Sequence, residues 1–245
     1  MKIVVLAGGI SAERDVSLSS GSMIYKALKQ NGHKAILLDV YLGYEGDVEG
    51  IFEREEDWAA QIGAVKEENP DVEAIRALRK DGGKSFFGPN VLAICQSADC
   101  VFLALHGVGG EDGRLQACFE LLGIPYTGAD MVGSVLAMDK GITKDLFKAY
   151  GIPTPKGIRL KKGEAEETRV PYPCIVKSCC SGSSVGVCIA RDDKEYLEAK
   201  EEAFRYDKEV IIEQYIEGRE FSVGVMEGTA LPVIEIAPKA GFYNY

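Results

Sequence analysis

The first forty residues restrict the fold most strongly. Lys2–Leu6 is a short apolar run that ends at the glycine pair Gly8 and Gly9, as a buried parallel strand entering a tight turn does. Apolar residues then recur at helical spacing over Val16–Gln30, and His33–Val40 reads as a second strand. Strand, glycine turn, helix and strand form a βαβ unit, which predicts an α/β fold with a parallel, doubly wound sheet.

Beyond this unit the chain divides into two regions of different character. Cys100–Leu105 is another buried apolar strand that extends the parallel sheet. After residue 128, two helical segments at Met131–Met138 and Ile142–Tyr150 precede a region of short strands, the last two of which we expect at Phe221–Met226 and Ala230–Ile236. Residues 43–90 carry an acidic run and a polar helical pattern, which we interpret as an insertion with surface helices outside the sheet core. The sequence therefore predicts a parallel α/β domain followed by a smaller, more antiparallel one.

Composition limits the partners and the compartment. The chain has 245 residues, 46% of them apolar, and a net charge of −10, so we expect no basic stripe for nucleic acid or an anionic membrane. No apolar run reaches the length of a membrane span, and the first residues do not resemble a signal peptide. Seven cysteines without a C-x-x-C pair, and only two histidines, disfavour a zinc site and indicate a reducing cytoplasm.

Two loops at the predicted sheet edge carry candidate ligand-binding residues. Glu13 lies in the turn after the first strand, and His106 begins a glycine-rich loop that also holds Glu111 and Asp112. Open α/β sheets bind ligands at the carboxyl ends of their strands, and glycines there allow a ligand to approach closely. Two alternatives stay open, because Glu13 also suits the positive end of the following helix and a lone histidine is usually structural.

The stretch Ile175–Val187 is a candidate phosphate site. It consists of a strand that carries Lys177 and a loop of small residues, whose backbone N–H groups can approach an anion. The alternative is an ordinary serine-rich hairpin turn. Lys140 lies between two helical segments and would differ from a solvent-facing lysine only as a partner of Lys177. Glu213 ends a strand that could offer backbone groups to an adenine ring or could be an ordinary edge strand.

Two glycine-rich segments fail to match the nucleotide-binding motifs that they resemble. Residues 82–85, GGKS, have Leu78 where a P-loop needs glycine. The loop that begins with GVG at 107–109 has Asp112 at the third glycine position of the dinucleotide-binding fingerprint, and the first strand–helix turn lacks this fingerprint as well. A P-loop and a nicotinamide-binding site are therefore disfavoured.

Several segments together resemble the D-alanine–D-alanine ligases, a family of the ATP-grasp superfamily. The matching segments are LAGGISAERDVSL at 6–18, LALHGVGGEDGRLQACFELLGIPYTG at 103–128, MDK at 138–140, GSSVGV at 182–187 and EQYIEGREFSVGV at 213–225. They span nearly the whole chain apart from the acidic insertion. The closing residues, APKAGFYNY, also resemble the start of the family's omega loop.

The resemblance implies a domain organisation and an activity. An N-terminal α/β domain over 1–128, with the insertion at about 43–90, would precede a central ATP-grasp domain over 129–213 and the beginning of a C-terminal domain over 214–245. The implied enzyme uses ATP to join two D-alanines for peptidoglycan synthesis. The γ-phosphoryl group passes to the carboxylate of the first D-alanine, and the amine of the second D-alanine then attacks this acyl phosphate.

The resemblance also implies which residues carry out this reaction. Glu13 and His106 would orient the first D-alanine, and Ser183 would join the hydrogen-bond network around Glu13. Lys140 and Lys177 would bind the ATP phosphates, while the serine loop would close over them and a segment at 213–220 would hold adenine and ribose. The implied ATP-binding set is Lys140, Lys177, Ser183, Ser184, Glu213, Tyr215, Ile216 and Glu220.

The expected ligands and partners follow from the same resemblance. They are ATP, Mg²⁺ and D-alanine, with a homodimer left open and with no metal ligand within the chain. The family's magnesium ligands and most of its omega loop would lie beyond Tyr245, so we expect the 245-residue chain alone to be an inactive fragment. Two alternatives are a non-catalytic nucleotide- or ligand-binding module and a ligase that takes D-lactate or D-serine as its second substrate.

Three positions depart from the family pattern. Val108 stands where the family often has a basic residue, and Gln214 stands where a lysine often contacts adenine. Residues 178–180, SCC, replace a stretch that usually begins with proline. We therefore expect an altered nucleotide affinity and a more oxidisable phosphate loop.

Overall fold

The computed structural model describes residues 1–60, 62, 70–182 and 186–237, and the chain divides into two compact units, residues 1–139 and 140–245. The three-domain division expected from the sequence stays a prediction. In chain order the elements are β1 (Lys2–Ala7), α1 (Arg14–Gln30), β2 (Lys34–Asp39), α2 (Val72–Ala77), α3 (Val91–Gln96), β3 (Cys100–Leu103), α4 (Arg114–Leu122), α5 (Met131–Met138), α6 (Lys140–Ala149), β4 (Gly157–Lys161), β5 (Cys174–Ser178), β6 (Val187–Ala190), α7 (Asp193–Tyr206), β7 (Glu209–Gln214), β8 (Glu220–Ser222), β9 (Val225–Met226), β10 (Thr229–Ala230) and β11 (Ile234–Ile236).

The first unit contains a parallel sheet with the strand order β2-β1-β3. Both faces of the central strand are covered, because Val4 and Leu6 pack into one apolar cluster while Val5 and Ala7 pack into another beneath α1. This arrangement explains why β1 is continuously apolar instead of alternating. It confirms the parallel α/β fold expected from the sequence.

The segment at 43–90 supplies part of this core. Ile51 and Phe52, in a short 3₁₀ helix, are 2% and 8% exposed, and Ala59 is 5% exposed. The expectation that the whole segment lies outside the sheet core was therefore wrong. Ile51 and Phe52 lie between acidic residues but face inward, and burying those two side chains outweighs the polar character of the run around them.

The second unit is built on an antiparallel sheet with the strand order β4-β7-β5-β6. The helix α7 packs on one face, where Tyr196 and Ala203 meet Val176 and Ile212. The side chain of Asp192 accepts a hydrogen bond from Glu195 N–H at 2.9 Å and caps the first turn of this helix. The structure confirms the expected change from a parallel to an antiparallel region.

The strands after β7 are shorter than the sequence pattern predicts. Continuous strands were expected at Phe221–Met226 and Ala230–Ile236, but each region forms two short strands instead. Glu227 and Gly228 both have positive φ angles, 49° and 76°, and form the two-residue turn of the β9–β10 hairpin. Pro232, which lacks a backbone N–H, lies between β10 and β11.

Two further expectations concern membranes and disulfides. In the parts of the chain described above, no helix has the length and apolarity to cross a membrane. All seven cysteines are described and all are free thiols. Cys95 and Cys174 are buried as small apolar side chains, and Cys179, in the serine-rich loop, is buried as well.

Candidate active site

The first unit brings Glu13 next to the loop that carries His106. β1 and β3 are neighbouring parallel strands, so the loops that follow them share one edge of the sheet. The hydroxyl of Ser11 donates a hydrogen bond to the carbonyl oxygen of His106 at 3.0 Å. Gly107 has a φ of +71°, and a Cβ there would overlap Glu13 Oε2. Glycine at this position therefore allows the Glu13 carboxylate to lie against the backbone of the His106 loop.

His106 presents a buried polar atom to this edge. Its Nε2 atom is shielded from solvent and has no hydrogen-bond partner among the described residues. Buried ring nitrogens are normally paired, because an unpaired one loses its bond to water without a replacement. Such an atom, in a loop whose backbone lies against the Glu13 carboxylate, fits a group that binds a polar ligand better than it fits a structural histidine.

Glu111 and Asp112 have a different role from that of His106. The Glu111 carboxylate accepts a hydrogen bond from Gly107 N–H at 2.7 Å, and that of Asp112 accepts one from Gly109 N–H at 2.9 Å. Both acids thus brace the turn that they belong to. Although the sequence places them beside His106, the structure assigns them to loop geometry.

Arg14 and Asp39 hold the other loop, and the sequence analysis did not single them out. The Arg14 guanidinium is buried, pairs with the Asp39 carboxylate and donates a hydrogen bond to the carbonyl of Gly9. Asp39 also accepts hydrogen bonds from the N–H groups of Tyr41 at 2.8 Å and Leu42 at 2.9 Å. A buried ion pair therefore stabilises the turn that leads to Glu13.

A cavity of about 480 Å³ adjoins these loops within the first unit. Its lining includes Ser11 and Val108, Phe86 and Phe87 from the segment 43–90, and the charged side chains of Arg76 and Arg114. Val108 is 55% exposed. The departure from the family's basic residue therefore gives the lining an apolar side chain in place of a charge.

In the second unit, Lys140 and Lys177 lie close to one another. Lys140 begins α6, and its ammonium group donates hydrogen bonds to the carbonyl oxygens of Ser181 at 2.5 Å and Cys179 at 3.4 Å. Burial lowers the pKa of Lys140, and the positive charge of Lys177 lowers that pKa further. Lys140 is therefore a neighbour of Lys177 and not a solvent-facing lysine, while its role as a phosphate ligand stays a prediction.

Glu213 lies beside Lys177 because β5 and β7 are neighbouring antiparallel strands. Ile175 is paired with Glu213 in the register, so Lys177 is the diagonal neighbour of Glu213 on the same face. The Lys177 ammonium forms an ion pair with Glu213 Oε1. Glu213 is 5% exposed, and its other oxygen, Oε2, accepts a hydrogen bond from the Lys144 ammonium at 2.5 Å. Lys144 is not among the site residues predicted from the sequence, although the i, i+4 spacing from Lys140 places both on one face of α6.

The structure describes only some of the remaining residues that were predicted to contact the nucleotide. Ser183 and Ser184 lie outside the described residues. The backbone N–H of Tyr215 donates a hydrogen bond to the carbonyl oxygen of Pro173 at 3.2 Å. If the backbone of Tyr215 contacts adenine, the contacting atom is therefore its carbonyl oxygen. Ile216 and Glu220 are both exposed, and Glu220 begins β8.

The last features of the site are the position of Gln214 and the side chains that could hold a metal ion. The Gln214 side chain is exposed, and its backbone N–H donates to the carbonyl of Lys156 at 2.8 Å. Within residues 1–60, 62, 70–182 and 186–237, no group of three or more histidine, cysteine or acidic side chains could hold a metal ion.

Comparison with known proteins identifies the family to which nearly the whole chain is similar. A family model described as the D-ala D-ala ligase N-terminus matches residues 2–129, and one described as the D-ala D-ala ligase C-terminus matches residues 141–245. The D-alanine–D-alanine ligase of Pediococcus pentosaceus is 43% identical over 254 residues, and that of Lacticaseibacillus casei is 41% identical over 253 residues. These alignments cover all of this chain and 71% and 70% of the two relatives, respectively.

Solved structures give the same result. The D-alanine–D-alanine ligase of Bacillus anthracis matches with a TM-score of 0.70 and 31% identity, over 100% of this chain and 67% of that one. The same enzyme complexed with ATP matches with a TM-score of 0.71 and 29% identity, over 99% and 68% of the two chains. The parallel unit and the antiparallel unit with its lysine pair thus define an α/β protein of the ATP-grasp class. The chain belongs to the D-alanine–D-alanine ligase family.

Proposed function

We propose that this chain provides the nucleotide-binding and first-substrate parts of an enzyme that joins two D-alanines with ATP. The observation that carries the proposal is the position of Lys140 and Lys177, two partly buried ammonium groups close enough for one charge to lower the pKa of the other. A polyphosphate bound between them would relieve their repulsion, so the pair is suited to an anion. The ATP complex of the Bacillus anthracis relative supports this assignment.

The second unit would bind ATP through both ends of the nucleotide. Lys140 and Lys177 would hold the phosphates, with Ser183 and Ser184 closing over them. Glu213 would accept a hydrogen bond from the adenine amino group, the backbone of Tyr215 and Ile216 would contact the ring, and Glu220 would bind the ribose. The two lysines would also stabilise negative charge that develops while the γ-phosphoryl group is transferred.

The first unit would bind the first D-alanine. Glu13 is an acid that can pair with the substrate ammonium, and His106 Nε2 is a buried atom without a partner in the described residues. A carboxylate becomes a good electrophile once phosphorylation turns one of its oxygens into part of a leaving group. The amine of the second D-alanine then forms the new C–N bond, and phosphate leaves with the C–O bond electrons.

Mg²⁺ would shield the phosphate charges when bound, although the described residues contain no group of three or more histidine, cysteine or acidic side chains that could hold it alone. We further propose a cytoplasmic enzyme that supplies peptidoglycan precursors. The expectation that the 245-residue chain alone is inactive also stays a prediction, and D-alanine-dependent phosphate release by this chain would contradict it.

The test measures ADP release by the complete gene product with ATP, with and without D-alanine. We expect release that depends on D-alanine, is absent with L-alanine and yields one dipeptide per ADP. Lys177→Met should lower kcat/KM for ATP by about tenfold or more, as expected when a charged contact is removed. ADP release that does not depend on D-alanine, or the absence of ADP release under both conditions, would contradict the proposal.

A further inference from the structure

Lys144 has a place in the second unit that none of the expected roles explains. It lies one turn after Lys140 on α6, and its side chain is 10% exposed. Its ammonium donates to Glu213 Oε2 at 2.5 Å, to Thr154 Oγ1 at 3.0 Å and to the carbonyl of Pro155 at 2.6 Å. An ammonium group has three N–H donors, so these three acceptors use all of them.

Because its donors are used, Lys144 has none left for a ligand. Its contacts instead link three elements of the same unit, which are α6, the segment that leads into β4, and β7. A lysine buried in this way requires a nearby negative charge, since an unpaired buried ammonium is strongly unfavourable. The carboxylate that balances it is Glu213, which the proposed function assigns to adenine.

The two lysines on Glu213 differ in exposure. The side chain of Lys177 is 23% exposed and that of Lys144 is 10% exposed, while that of Glu213 is 6% exposed. Under the proposed function, Lys177 binds a phosphate, and a lysine that moves toward a phosphate weakens its pairing with Glu213. Glu213 then needs another cation, because a buried carboxylate that loses its partner is costly.

We infer that Lys144 is a positioning residue of the nucleotide site, which holds the Glu213 carboxylate in place and balances its charge when Lys177 binds phosphate. The inference rests on the proposed function, since it assumes that Glu213 and Lys177 contact the nucleotide. Without Lys144, Glu213 would retain Lys177 as its only lysine partner in the described contacts. Both the adenine contact and the phosphate contact of ATP would then be weakened, while the D-alanine contacts of the first unit would not.

The test is a double-mutant cycle in the complete gene product with Lys144→Met, Glu213→Gln and the double variant. ATP dissociation constants by calorimetry and KM values for ATP and D-alanine are measured for each. We expect Lys144→Met to weaken ATP binding about tenfold or more, and to add less than about twofold when Glu213→Gln is already present, as for two residues that act as one unit. The KM for D-alanine should stay within about twofold of the wild-type value.

The matched control is Lys148→Met, one turn further along α6. The Lys148 side chain is 56% exposed and its ion pair with Asp145 spans 3.6 Å, so ATP binding should be unchanged. If Lys144→Met does not fold, the comparison of Glu213→Gln with the double variant decides. Three results would each overturn the inference: independent effects of Lys144→Met and Glu213→Gln on ATP binding, an unchanged ATP affinity of Lys144→Met, or equal increases in the KM values for ATP and D-alanine.

The calorimetric arm separates this inference from the proposed function. If the wild-type protein binds ATP with the expected cycle but releases no ADP with D-alanine, the proposed function fails and the role of Lys144 stands. If it ligates D-alanine and the cycle shows independent effects, the proposed function stands and the inference fails. A wild-type protein that binds no ATP contradicts both.

Discussion

Asp39→Ala is the substitution expected to destabilise the first unit most directly. The Asp39 carboxylate pairs with the buried guanidinium of Arg14 and accepts the N–H groups of Tyr41 and Leu42. The side chains of Arg14 and Asp39 are 8% and 13% exposed. The substitution leaves a buried positive charge without its carboxylate and leaves three backbone donors, the N–H groups of Gly9, Tyr41 and Leu42, without their acceptor.

The size of the loss follows from these contacts. Removing one partner of a buried ion pair costs about 3–5 kcal/mol. A domain has a free energy of unfolding of about 5–15 kcal/mol, so this loss is a large part of the total. With a urea m-value of about 2 kcal/mol/M, the unfolding midpoint should fall by roughly 1.5–2.5 M.

The single tryptophan makes the measurement specific to this unit. Trp58 lies in the first unit, and its ring meets that of Tyr44 edge-on with the centroids 5.4 Å apart, so its fluorescence reports unfolding of that unit. Glu53→Ala is the control, because its ion pair with Lys34 has both side chains about half exposed and its loss should leave the midpoint unchanged. A midpoint shift for Asp39→Ala no larger than that of the control would refute the reasoning.

Three further predictions concern single residues. Because the pKa of Lys140 is lowered, its ammonium group should lose its charge below the ordinary lysine pKa of about 10.4, and ATP affinity should fall as the pH rises through that range. Lys140→Arg should move this loss of affinity to higher pH. ATP-binding titrations from pH 7 to 11 test both expectations. Gly107→Ala should raise the KM for D-alanine, because the new Cβ overlaps the Glu13 carboxylate; equal effects on the KM for ATP would contradict it. Burial raises the pKa of the Cys95 thiol to about 12, so iodoacetamide at pH 8 should label it only after unfolding, as peptide mapping would show.

The strands and most helices could be predicted from the sequence because their signals are local. A continuous apolar run followed by a glycine turn identified β1, and the segment predicted at Met131–Met138 is α5 itself. The proximity of the loops with Glu13 and His106 followed from the rule that neighbouring parallel strands end at one edge. Their roles as substrate contacts came only from the family resemblance and stay predictions.

What could not be predicted depends on contacts between distant residues. Ile51 and Phe52 are buried within an acidic run, and no periodicity marks them as core residues. Nothing in the sequence around Lys144 distinguishes it from a surface lysine. Only the packing of α6 beside β7 shows that it contacts Glu213, 69 positions away. Asp112 is near His106 in sequence, yet its hydrogen bond to the Gly109 N–H gives it a structural task.

An oxygen-transfer experiment tests the central claim most directly. The complete gene product is supplied with ATP and with D-alanine carrying ¹⁸O in both carboxylate oxygens, and the released phosphate is analysed by mass spectrometry. The acyl-phosphate route breaks the bond between the carbonyl carbon and the phosphorylated oxygen, so it predicts one ¹⁸O atom in each phosphate formed. Phosphate without ¹⁸O, or ¹⁸O found in AMP, would contradict it.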